Sequence, residues 1–152
     1  MTTKTELESA LKDAMRANDD LHKRTLRMAL AAIRLAEIEK GGALDEPAVL
    51  AILQKEVKSR QEAIVEAQRA NRPEMEAANK AEIAVLEVFM PEPLGEDELK
   101  AMAQEAAAEV GASTQTDMGK VMRVLMPRLQ GRATGDQASR IVRQLLQQGP
   151  KG

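Results

Sequence analysis

The chain reads as an all-α protein, and three observations lead there. Ala, Glu, Lys, Leu, Arg, Gln and Met dominate its 152 residues, and these are the strong helix formers. Apolar residues recur at three- and four-residue spacing along almost the whole length. Residue types that start and stop helices stand between the periodic stretches: Asn18-Asp19-Asp20, Gly41-Gly42, Asp45 with Pro47, Pro73, Gly111 and Gly135. A chain of this size buries roughly 70% of its unfolded surface, so a core of Leu, Ile, Val, Ala and nine Met suffices without a staple.

The first 90 residues predict about four helices. The first opens with Thr3 and Glu6 in capping-box spacing and turns Leu7, Ala10, Leu11 and Met15 to one side. Asn18-Asp19-Asp20 ends it and caps the second, which runs to about Lys40, where Gly41-Gly42 stops it. Between Met28 and Ile38 this second helix is apolar nearly all round, which predicts a central position. Asp45 caps the third, whose stripe of Leu50, Leu53, Val57, Arg60, Ile64 and Ala67 is a heptad seam containing one arginine. The fourth starts near Pro73 and is expected to reach Pro91, with Ala78, Glu82, Val85, Leu86 and Phe89 along one side. The charged run 54–62 reads as a solvated face laced by pairs such as Glu56–Arg60 and Lys58–Glu62, but Arg60 falls on the seam, where pairing with Glu82 is expected and a role toward a substrate is the lesser alternative.

Two prolines in the segment Pro91-Glu92-Pro93-Leu94-Gly95 interrupt helix and mark a boundary. The predicted organisation is an N-terminal helical unit over 1–90, a Pro-rich hinge at 91–95, and a smaller three-helix bundle over 96–152. Its helices are 96–110, closed by Gly111; 117–130, capped by Asp117 and tightened by Pro127; and 136–147, with Ala138, Ile141, Val142, Leu145 and Leu146 inward.

Charge divides unevenly along the chain. Residues 1–90 hold fourteen Lys or Arg against sixteen Asp or Glu. Residues 91–110 hold one base against six acids, and residues 111–152 hold seven bases against two acids. In the last two helices the basic residues share a register. Counted from the first apolar residue, apolar positions recur at +3, +4 and +7, and basic ones at +2 and +5: Lys120 and Arg123 in one helix, Arg140 and Arg143 in the other. At about 100° per residue these cations face away from the apolar stripe. Arg128 and Arg132 extend the charge toward the connecting loop, so a helical hairpin with a basic outer face and a basic tip is expected to bind an anion.

Stand-alone catalysis finds no residues to carry it. Cysteine is absent, which removes thiol nucleophiles, disulfides and thiolate metal sites together. Ser9, Ser59, Ser113 and Ser139 stand in no nucleophile turn, and no glycine sits in a phosphate-loop frame. The single histidine, His22, follows Asp19-Asp20 and reads as a first-turn residue behind an N-cap rather than as a metal ligand. No catalytic residue, metal ligand or cofactor is assigned. With one Phe and neither Trp nor Tyr, the chain has little but Arg and His to stack on splayed bases, so sequence-specific single-strand recognition is not expected. The opening Met-Thr-Thr-Lys-Thr-Glu lacks an apolar stretch, and no segment approaches the about 20 apolar residues a membrane span needs, so a cytoplasmic protein without a membrane partner is expected.

At Asp117-Met118-Gly119-Lys120-Val121-Met122 and Gly131-Arg132-Ala133-Thr134-Gly135 the sequence resembles the GatB/YqeY family. Leu26-Arg27-Met28 with Ala31-Ala32-Ile33, Gln54-Lys55-Glu56 through Arg60, and Pro91-x-Pro-Leu look like its stand-alone YqeY-like branch, so the resemblance spans essentially the full chain. In that family the module forms the C-terminal end of the B subunit of the glutamine-dependent tRNA amidotransferase. The resemblance implies an all-helical two-part fold whose terminal bundle contacts tRNA, beside the aminoacyl-tRNA amidation machinery. The sites that phosphorylate and transamidate lie in other domains of that enzyme. The label of carbon–nitrogen ligase with glutamine as amido-N-donor therefore attaches here by family name rather than by active site. The family's loop usually reads Gly-Arg-Ala-Asp-Gly; Thr134 stands in place of the Asp and can still cap the helix that follows. The leading expectation is an accessory protein that binds tRNA or another folded RNA; its first rival is a helical protein–protein adaptor without RNA binding, and its second a cryptic enzyme with glutaminase or amidation activity.

Overall fold

A computed structural model describes residues 2–148. Every helix and turn among them is helical in type, with no strand. The chain divides into two compact units, Met1–Met90 and Pro91–Gly152.

The first unit holds α1 (Thr3–Ala17), α2 (Asp20–Lys40), α3 (Glu46–Arg69) and α4 (Pro73–Glu87). Its ends follow the chemistry of capping. Asn18 takes the left-handed conformation that closes α1, Asp19 accepts from the backbone N–H of His22 to open α2, and Asp45 accepts from Ala48 to open α3. Gly41 ends α2 at φ +82°, a backbone geometry that an L side chain resists. Leu7, Leu26, Ala29, Ile33, Val49, Leu53, Val57, Val85 and Leu86 form the core.

Five expectations for this unit need correction. The α1 cap is Thr2, one residue earlier than the capping-box spacing suggests. Thr3 is instead buried, its N–H and hydroxyl donating to the Glu46 carboxylate at 2.9 and 2.8 Å and tying the start of α1 to the start of α3. Ala14, not Met15, continues the inner face of α1, because the +7 step from Leu7 lands there; Met15 is exposed. Helix α2 does pack on α1, α3 and α4, as a central position requires, but it is not surrounded: Thr25, Leu26, Ala29 and Ile33 face the core while Met28, Leu35 and Ile38 are exposed. Helix α4 stops at Glu87 rather than Pro91, and Ala78 lies outside its inner stripe. Continuing the helix would drive the Pro91 ring against the Glu87 carbonyl, so residues 88–90 tighten into short-range turns instead.

The second unit holds α5 (Glu96–Val110), a 3₁₀ turn (Gln115–Asp117), α6 (Met118–Leu129) and α7 (Gly135–Gln147). Each of the three α-helices packs against the other two. Leu99, Ala103 and Ala106 meet Val121, Leu125 and Leu129, and Ala138, Ile141, Val142 and Leu146 complete the core. The small residues of α5 allow the other helices close approach. Asp117 does not cap α6 in the expected way: its carboxylate reaches back to the N–H groups of Ser113 and Thr114 at 3.0 and 3.2 Å, closing a box with Thr114 around the 3₁₀ turn. Thr134 does cap α7, its hydroxyl accepting from Gln137 N–H while the Gln137 side chain accepts from Thr134 N–H. The substitution of Thr for Asp in this loop therefore leaves the cap intact. No helix among the described residues is long and apolar enough to cross a membrane.

Candidate nucleic-acid interface

The six cations singled out in the sequence all lie in the second unit, but they do not stand in one chemical state. Their placement follows from the two amphipathic stripes. Burial of Val121, Leu125 and Leu129 on α6, and of Ala138, Ile141, Val142 and Leu146 on α7, turns the +2 and +5 positions of each helix to solvent. Lys120, Arg123, Arg140 and Arg143 are accordingly exposed. Lys120 Nζ lies 3.9 Å from Asp117, a loose contact at a side chain 67% exposed. Among the described residues, the side chains of Arg123, Arg140 and Arg143 hold no ion pair or hydrogen bond.

Arg128 and Arg132 are committed within the unit. Arg128 forks onto both oxygens of Glu109 on α5, its Nη1 at 3.0 Å. That bond, before any other cause, holds the Glu109 carboxyl below its usual range and raises the Arg128 guanidinium. Arg132 donates from Nε to the Glu92 carbonyl at 2.8 Å, lies 4.0 Å from Glu98, and accepts from the Leu94 N–H at its own carbonyl at 2.8 Å. It clasps the Pro-rich segment against the α6–α7 loop. The expected basic tip is thus largely compensated, and the exposed charge resides on the outer faces of α6 and α7. The partition of charge along the sequence, acidic over 91–110 and basic beyond, hinted at this: the acidic α5 packs directly on the basic hairpin.

The backbone N–H groups of Ser113 and Thr114 are the main cause holding the Asp117 carboxyl below its ordinary value, and Lys120 adds to them. Asp117 is therefore a fixed anion at the edge of the basic face. Gln115 donates from Nε2 to the Arg143 carbonyl at 3.1 Å, tying the 3₁₀ turn to α7.

In the first unit Arg60 is 6% exposed and meets two carboxylates. Its Nη1 donates to Glu56 Oε2 at 2.8 Å and to the Glu56 carbonyl at 3.0 Å; its Nε lies 3.7 Å from Glu82, which also takes Arg24 at 3.4 Å. The arginine in the seam pairs with Glu82 as expected, with Glu56 as the closer partner. Position alone signals this: Glu56 precedes Arg60 by one helical turn. His22 Nδ1 sits 2.7 Å from Asp19 in the cap of α2, and no cluster of three potential metal ligands occurs among the described residues.

A family model described as Yqey-like protein matches residues 4–146. A search of curated proteins finds no match.

Proposed function

The chain belongs to the Yqey-like protein family, and from that premise we propose that it is an accessory protein binding folded RNA, tRNA foremost, beside tRNA-dependent amidation. The observation that carries the reading is the trio Arg123, Arg140 and Arg143, exposed on two packed helices and, among the described residues, held in no ion pair. An arginine left unpaired at a surface is available to phosphate, which it can grip through two parallel N–H donors. Lys120 joins the trio, whereas Arg128 and Arg132 act through the fold by holding α5 and the Pro-rich segment in place. With no Trp or Tyr available, recognition rests on backbone and shape rather than on stacked bases.

Fluorescence anisotropy of labelled tRNA with the full chain, repeated across salt concentrations, tests this. Affinity falls with salt by about 0.7–0.9 log units per neutralised phosphate for each log unit of salt. Arg123→Ala or Arg140→Ala lowers that slope by about one and weakens all tRNAs alike. Lys12→Ala, on α1, does neither. Wild-type protein without salt-sensitive binding at about micromolar concentration, or a triple Arg123, Arg140, Arg143 alanine variant that binds as well, would overturn the reading.

A further inference from the structure

The first unit carries an apolar seam that lies mostly outside its own core, with Met28 alone engaged, its sulfur accepting from Arg60 Nη2 at 3.8 Å. Met28, Leu35 and Ile38 are 51%, 58% and 70% exposed, and Ala31 between them is exposed as well. Positions 28, 31, 35 and 38 are successive a and d sites of two heptads, within about 40° of one line on the helix surface. The buried residues Thr25, Leu26, Ala29 and Ile33 occupy another face of the same helix. Helix stability does not call for this seam, since a β-branched residue such as Ile38 is a poorer helix former than the Ala or Lys that a solvated position could hold. The seam is bounded at its start by Arg24, which pairs with Glu82, and at its end by Gly41. It is about 15 Å long at 1.5 Å per residue.

The flanks state the partner's chemistry. Arg27 and Arg34 fall at the two g positions; both are exposed and neither is held in an ion pair among the described residues. The e positions are Ala32 and Glu39. A second copy is a poor occupant. Antiparallel pairing sets g against g, hence arginine against arginine, and parallel pairing meets only one acid, Glu39, on each side. RNA offers no apolar ridge to fill the seam. We infer that the outer face of α2 docks an amphipathic helix of another polypeptide, apolar at its a and d positions and acidic on its flanks. This surface is distinct from the cations of α6 and α7, and the inference stands apart from RNA binding.

The probe is a labelled three-heptad peptide with Leu at a and d and Glu at e and g, titrated with the full chain by anisotropy. The same peptide with Lys at e and g is the control. The Glu peptide binds and the Lys peptide does not. Leu35→Glu weakens binding at least about tenfold, and Arg27→Glu with Arg34→Glu reverses the preference toward the Lys peptide. Both variants keep wild-type far-ultraviolet circular dichroism, because the altered side chains lie outside the core, and both keep wild-type tRNA affinity. The inference fails if neither peptide binds, if flank charge makes no difference, or if Leu35→Glu binds equally. Self-association lost in Leu35→Glu would assign the seam to a second copy, and capture of anionic vesicles in place of peptide would assign it to a lipid surface; either result overturns it.

Discussion

Replacing Glu82 by Ala tests whether the arginine buried in the α3–α4 seam is held by charge or merely packed. Arg60 is 6% exposed, while Glu82 and Glu56 side chains retain 14% and 23% exposure. Two unit charges about 4 Å apart interact by about 4 kcal/mol at an effective dielectric of about 20, and desolvation offsets much of that. Removing one partner of a buried pair costs about 3–5 kcal/mol when the other is left alone. Here Arg60 keeps Glu56 at 2.8 Å, so the loss on Glu82→Ala falls to about 2–3 kcal/mol. Arg60→Met is milder, because Met fills the same length of seam and the carboxylates it abandons reach water or, for Glu82, Arg24. The double variant Arg60→Met, Glu82→Leu is milder than Glu82→Ala alone, since both charges go together. Native-state hydrogen exchange on the full chain measures this at the α3 and α4 amides. Glu82→Ala should cut protection about 30- to 150-fold, at a decade per 1.4 kcal/mol. Equal and negligible losses for all three variants, or a double variant worse than the single, would refute the reasoning.

Two further outcomes follow from contacts in the second unit. Limited proteolysis should cut first between Val88 and Pro93, where the chain is not helical, and not beyond Leu94, whose N–H is bonded to the Arg132 carbonyl; Arg132→Ala, which removes the side-chain bond to Glu92, should speed that cut severalfold, and mass spectrometry of early fragments checks both. Asp117 and Glu109 have folded-state pKa values below their unfolded ones, so their contribution is complete above the unfolded values and is lost as pH falls through the lower, folded ones. Acid titration of the helical signal should therefore steepen below about pH 4, and Asp117→Asn should flatten that limb while leaving stability at neutral pH lower.

Much of the fold is legible from local chemistry because helix ends are local events. Asp19, Gly41, Asp45, Gly111 and Thr134 each act within four residues of themselves, and each is found where its side chain, or lack of one, predicts a terminus. The misplacements at Thr2 and Asp117 share a cause. Thr3 and Asp117 satisfy the spacing rule, but a competing acceptor or donor elsewhere takes them: Glu46 for Thr3, and the 3₁₀ turn for Asp117. No spacing rule reveals that competition.

The candidate site divides along the same line. Exposure of Arg123, Arg140 and Arg143 follows from 3.6-residue periodicity, so it can be read from sequence. The engagement of Arg128 depends on α5 packing beside α6, which places Glu109 nineteen residues away within bonding distance. Helix α2 shows the limit most clearly. An apolar residue on every side means either that protein surrounds the helix or that two opposed faces have separate partners, and periodicity cannot separate these. The structure leaves Leu35 and Ile38 of that seam exposed, with Arg27 and Arg34 beside it in no ion pair among the described residues. A chain with a single aromatic residue can still offer two chemically distinct faces: guanidinium groups on α6 and α7 that hold no ion pair among the described residues, and a Leu–Ile seam with basic flanks on α2. Because they draw on opposite forces, salt separates them, weakening contacts at the first while leaving apolar burial at the second in place.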